Sequence, residues 1–150
     1  MTWTATVLAS HLGDAPDVQR ALDDAWDGAW ASVDPCLLEL CRLQIASILR
    51  CPDELVARTP LAIAAGFDER KAAALGSSWT SALFTDTERA CLAFTDAFVM
   101  DVASLPDDTA ATVATHLGDA GLVDFTSALL VLEQRQRLAL AWNTMFTRAS

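Results

Sequence analysis

Apolar residues in this chain recur at helical spacing almost from end to end, and almost nowhere alternate in the period-two pattern of a half-buried strand. Tyr is absent and runs of β-branched residues are short. An all-α fold is therefore expected, and start and stop signals divide it into about seven helices. The first spans Asp17 to Ala31, with Val18, Leu22, Ala25, Trp26 and either Ala29 or Trp30 as its apolar stripe. Asp34-Pro35 places a capping Asp before a Pro at the first helical position, opening a second helix that runs to about Leu49. Leu38, Cys41, Ile45 and Ile48 form its stripe. Cys51-Pro52 opens a third, expected to run unbroken to Gly66, a natural left-handed stop. Asp68 to Leu75 makes a short fourth. Thr85 and Glu88 have capping-box spacing at the start of the fifth. Leu105-Pro106 opens the sixth, which stops near Gly118, and Gly121 to Phe146 is the seventh and longest. Helices of this number and length imply a bundle.

A chain of 150 residues is enough for one domain with a real core. Its 53% apolar content against 20% charged residues is rich for a lone small globule, and burial between subunits accounts for such an excess. A net charge of −10 argues against nucleic acid, whose phosphates it would repel, and against an anionic membrane surface. No apolar run approaches the roughly 18–20 residues of a membrane span. The opening residues carry no Lys or Arg, so a secretory n-region is missing and a cytoplasmic location is expected.

The four cysteines, Cys36, Cys41, Cys51 and Cys91, show neither a dithiol spacing nor a zinc spacing, and His11 and His116 are the only histidines. No metal is expected. Free thiols suit a reducing compartment, and Cys36, Cys41 and Cys91 read as buried helix-face positions. The sequence Ser10-His11-Leu12-Gly13-Asp14-Ala15 returns as Thr115-His116-Leu117-Gly118-Asp119-Ala120. The flanks do not match, so these are two helix stops with a helix-end His rather than a structural repeat. The tryptophans, Trp3, Trp26, Trp30, Trp79 and Trp142, sit at helical spacing and imply core or interface, with no cofactor.

The stretch from Glu39 to Gly66, ELCRLQIASILRCPDELVARTPLAIAAG, resembles the core motif of the carboxymuconolactone decarboxylase and alkylhydroperoxidase D-like family. In the redox branch that motif is a helix beginning Glu-Leu, then Cys-x-x-Cys-x-x-x-His, then a helix ending Ala-Gly. Glu39 and Cys51 fall at matching positions with eleven residues between them, while Glu54 stands for the second cysteine and Arg58 for the histidine. Trp79, Ser81, Phe84-Thr85-Asp86 and Glu88-Arg89-Ala90 resemble a second family segment, and His116 with Leu122-Val123-Asp124 resembles the entry to its last helix. Of the family pattern over Glu133 to Phe146, only Arg137 agrees. The resemblance covers about residues 34–146, leaving 1–33 as an N-terminal helical extension of one domain. It implies a small helical domain assembled as a homo-trimer or hexamer. Three readings follow: a diverged pocket that acts on or binds a small organic acid, a single-thiol redox or peroxidase-like protein centred on Cys51, or a non-catalytic oligomeric scaffold that keeps only the fold.

The dithiol cycle needs an attacking thiolate and a resolving thiol, and Glu54 removes the second from this loop. Cys51 at a helix start is either a pocket nucleophile or redox thiol, or an inherited cysteine. The helix N-terminus favours its thiolate, whereas Asp53 and Glu54 oppose it. Glu39 is either a partly buried carboxylate suited to proton transfer or a surface partner of Arg42. Arg58 cannot shuttle protons, but it can hold a carboxylate with two parallel hydrogen bonds. That carboxylate belongs either to a small acidic ligand, with Glu39, Glu54 and Arg58 lining one pocket, or to Glu54 four residues earlier. In the last helix, Glu133-Gln134-Arg135-Gln136-Arg137 covers every face, so some of these polar residues must point inward. Glu133 and Arg137 are spaced to pair, and the run suits a subunit seam or a pocket wall.

Overall fold

The computed structural model describes residues 13–147, with side chains described to residue 145. Trp3, Ser10, His11 and Leu12 lie outside the described residues. The described part is all-α: α1 Pro16–Ser32, α2 Pro35–Leu49, α3 Pro52–Val56, α4 Pro60–Ala64, α5 Glu69–Ala73, α6 Asp86–Asp101 and α7 Asp107–Thr147. Short 3-10 turns at Leu75–Ser77 and Val102–Ser104 follow α5 and α6.

The starts follow the sequence signals. The Asp34 carboxylate accepts from the Leu37 N–H at 2.8 Å, and Thr85 and Glu88 form a complete capping box. Two expectations need correction, and the stop at Gly118 holds. The expected third helix is two short ones, α3 and α4, parted at residues 57–59. Pro60 is the reason: its ring disfavours the helical region for Thr59, which sits at φ −71°, ψ 131°. The two helical stretches of α7 part at Gly118, where the sequence placed the stop; its φ of 76° and ψ of 169° are non-helical and suit only glycine. Cys36 is half-buried, its Sγ 3.6 Å from the Ala65 carbonyl, while Cys41 and Cys91 are buried as expected.

Helix α2 is the centre of the bundle. Leu37 through Leu43 are all buried, so it is enclosed on every side. It packs against α6, α7 and α3, and α1 packs against α7. Leu38, Cys41, Ile45, Phe94, Phe125, Leu129 and Leu132 form the core, with Phe94 and Phe125 edge-to-face at 5.8 Å. Arg50 ends α2 in the left-handed conformation at φ 57°, and the Cys51 N–H closes on the Ala46 carbonyl at 2.9 Å. That reversal folds α3 back onto α2 and carries Glu54 toward Glu39 and Arg42.

Candidate functional site

Glu39 and Arg42 are the only charged residues of α2 and lie one turn apart, inside an enclosed helix. Such charges must be paired and hydrogen-bonded to be tolerated. Arg42 meets this demand with five bonds, matching the five N–H donors of a guanidinium. Nε and Nη2 donate to the two oxygens of Glu39 at 3.1 and 2.6 Å. Nη1 donates to Glu54 Oε2 and to the Glu54 carbonyl, each at 2.8 Å. Nη2 also donates to the Ala57 carbonyl at 2.7 Å. Glu39 Oε1 further accepts from the Thr59 N–H at 3.2 Å. Gln136 of α7 caps the cluster from behind, donating to the Arg42 carbonyl at 3.0 Å.

The break at Pro60 and this cluster explain each other. Ending α3 at Val56 leaves the Glu54 and Ala57 carbonyls and the Thr59 N–H without continuous helical partners. Arg42 and Glu39 supply them. Glu39 is therefore paired with Arg42, and the pair is fully buried rather than at the surface.

Two carboxylates share the one guanidinium of Arg42. Burial pushes the Glu54 carboxyl above its usual range, and the attraction of Arg42 only partly offsets this. Glu54 gives one oxygen to Arg42, and among the described residues its Oε1 has no hydrogen-bond partner. A raised folded-state pKa means the fold prefers the protonated acid. Glu54 thus contributes stability that is fully present below about pH 4.5 and is lost as pH rises through the raised value. In Glu54→Gln this loss is expected to vanish. Denaturant unfolding of both proteins at low and neutral pH should show the variant gaining on the wild type as pH rises. A difference that shrinks with rising pH would contradict the assignment.

Cys51 lies at the start of α3 and is buried, with no side-chain capping bond. Its thiol is pushed up by burial first, then by Glu54 and Asp53, against a lowering by the Glu54 backbone N–H and by Arg42. It opens onto a cavity of about 70 Å³ lined also by Glu54, Leu140 and Asn143.

Arg58 does not pair with Glu54. Its Nε and Nη2 grip the two oxygens of Glu69 at 2.8 and 3.0 Å, and Nη1 donates to the Leu55 and Ala57 carbonyls at 2.9 and 2.8 Å. The non-helical step at residues 57–59 turns it away from Glu54 and toward α5. There it heads a separate groove of about 210 Å³ walled by Leu43, Leu55, Ala72, Ala73 and Leu75. Among the described residues, Arg58 and Cys51 thus line separate cavities, and Glu39 is fully buried. The Ala57 carbonyl links Arg42 and Arg58, accepting from both.

In α7, Glu133 pairs with Arg137 at 2.8 Å as the spacing predicts, while Arg135 and Gln136 turn inward. The Arg135 guanidinium lies 4.6 Å from the Trp26 ring centroid and 3.9 Å from Asp23. His116 Nδ1 is 3.2 Å from Thr87 Oγ1, at the helix break and away from these groups. Among the described residues no cluster of three or more His, Cys, Asp or Glu could hold a metal, and no helix is long and apolar enough to cross a membrane.

Sequence reading missed the central role of Arg42, which it treated only as a partner for Glu39. The signal was present: α2 carries two charges, one turn apart, among uncharged neighbours.

The sequence profile of the carboxymuconolactone decarboxylase family matches residues 16–97, more than half of the chain. The chain belongs to that family. The fold agrees with a crystal structure of a protein of unknown function from Agrobacterium tumefaciens, described as a candidate antioxidant defence protein AhpD. The two superpose with a TM-score of 0.76 at 21% identity, over 89% of this chain and 92% of the other. No curated protein matches the chain in sequence.

Proposed function

We propose that this family member binds a small organic acid at the Arg58 groove, and that the cysteine loop serves to hold that groove in shape. One observation carries the reading: Arg58 already grips a carboxylate, that of Glu69, in two-pronged geometry at the head of an apolar-walled groove. The Glu69 side chain is 63% exposed and free to swing out. Exposed ion pairs of this kind contribute only about 0–1 kcal/mol, so a ligand carboxylate can take the place of Glu69 at little cost. A short hydrocarbon or aromatic body would then cover Leu43, Leu55 and Leu75. Glu39 and Glu54 act at one remove, by fixing Arg42 and through it the Ala57 carbonyl that orients Arg58. The same reading has the protein assemble as a homo-oligomer, a trimer or hexamer.

A single-thiol redox role for Cys51 has less support. The thiol is buried and flanked by acids, and Glu54 stands where a resolving thiol would be.

Short monocarboxylates are expected to raise the melting temperature of the wild type by mass action on the folded state. The rise should vanish in Arg58→Ala. Equal shifts in both proteins, or none in a broad set of acids, would remove the small-acid reading.

A further inference from the structure

The head of the Arg58 groove carries two opposite charges. Arg58 Nε and Nη2 hold the Glu69 carboxylate at 2.8 and 3.0 Å, and both side chains line the same groove. The rest of the lining is aliphatic: Leu43, Leu55, Ala72, Ala73 and Leu75. We propose that this groove takes an apolar α-amino acid, with its carboxylate on Arg58, its ammonium on Glu69 and its side chain against the leucines. The proposal deepens the small-acid reading and rests on it.

Charge balance separates this ligand from a simple acid. A monocarboxylate that takes Arg58 displaces Glu69 but leaves it close by, so two carboxylates share one guanidinium. Like charges at that range oppose each other, and the chain already carries a net charge of −10. The neighbouring cations of α5 are engaged, Arg70 by Asp68 at 2.8 Å and Lys71 by Glu88 at 2.6 Å. A ligand that brings its own ammonium restores the balance at the head. As a zwitterion it also approaches the acidic chain without net repulsion. A dicarboxylate worsens the imbalance, and an amine without a carboxylate sets a second cation against Arg58.

The geometry suits such a ligand. Arg58 Nη1 donates to the Leu55 and Ala57 carbonyls at 2.9 and 2.8 Å, which fixes the guanidinium in place. The Glu69 side chain is 63% exposed and can change rotamer while staying beside the groove. A fixed cation and a movable anion match an α-amino acid, whose two charged groups sit on one carbon. The cavity of about 210 Å³ lies below the roughly 300–1,000 Å³ of sites for drug-sized ligands, so it fits a single amino acid rather than a peptide. Leu43, Leu55 and Leu75 offer no hydrogen bond, which selects an apolar side chain over a polar one.

The test is calorimetric titration of the full chain, wild type and Glu69→Gln, with three probes. These are L-leucine, 4-methylpentanoate (leucine without its ammonium) and 3-methylbutylamine (leucine without its carboxylate). In the wild type leucine should bind most tightly and the amine most weakly. In Glu69→Gln leucine should weaken by at least twofold and up to about fivefold, as loss of an exposed ion pair requires, while 4-methylpentanoate tightens. Those opposite signs are the signature of an ammonium seated on Glu69. Leucine that weakens by less than twofold in Glu69→Gln, or either analogue binding the wild type as tightly as leucine does, would overturn the amino-acid proposal. Binding of 4-methylpentanoate would then leave the small-acid reading standing. No binding of any of the three probes would remove both.

Discussion

Arg42→Ala is expected to destabilise the protein by about 3–5 kcal/mol, the usual loss when one partner of a buried ion pair is removed. The reason is local and countable. The substitution leaves two buried carboxylates, Glu39 and Glu54, without their cation. It also strips the Glu54 and Ala57 carbonyls of a donor. For a chain of this size each kcal/mol lowers the melting temperature by about 2–4 °C, so a fall of roughly 6–20 °C is expected. Arg42→Lys should recover only part of the loss. A single ammonium cannot reach four acceptor groups arranged around a planar fork. Calorimetry of the two variants checks both statements, and a loss below about 1 kcal/mol for the alanine variant would mean that the cluster is not what holds the loop. The Ala57 carbonyl also orients Arg58, so a folded remnant of Arg42→Ala should bind carboxylates more weakly.

Hydroperoxide turnover with a thiol reductant is expected at background level, and Cys51 is expected to alkylate slowly. Only the thiolate is an effective nucleophile, and burial together with Glu54 and Asp53 holds this thiol above its ordinary range. At neutral pH its labelling should lag free cysteine, and should keep rising with pH beyond the range where free cysteine levels off. Peptide mapping separates Cys51 from the half-buried Cys36, which competes for reagent. Fast labelling that is flat between acid and neutral pH, or peroxide turnover abolished by Cys51→Ser, would restore the thiol to the centre of the chemistry.

Much of this molecule is legible in its sequence because helix starts are local. Asp34-Pro35, Cys51-Pro52 and Thr85 with Glu88 each mark a boundary through residues within one turn, and the structure opens α2, α3 and α6 there. The break at 57–59 was equally local, in Pro60, but the Ala-rich run up to Gly66 masked it. The candidate site was less legible because its geometry is not local. Which way Arg58 turns depends on that break and on Glu69, eleven residues away, rather than on the helical neighbour Glu54. The inward turn of Arg135 and Gln136 follows the five-residue polar run in α7, but the partner of Gln136 lies on α2, 94 residues away. Glu39 was read as either a relay carboxylate or a surface pair. The first reading has the burial and the second the partner, and the enclosed α2 combines them by forcing the Glu39–Arg42 pair inside.

Glu69→Gln gives the most direct test of the claim that Arg58 is a carboxylate anchor held in reserve. In the wild type a ligand must displace the Glu69 carboxylate, and in the variant it meets only a neutral amide. Calorimetric titration of a short monocarboxylate should therefore show binding up to about fivefold tighter in Glu69→Gln than in the wild type, as the loss of a competing exposed ion pair worth up to about 1 kcal/mol requires. Binding that is unchanged or weaker in Glu69→Gln would contradict the account.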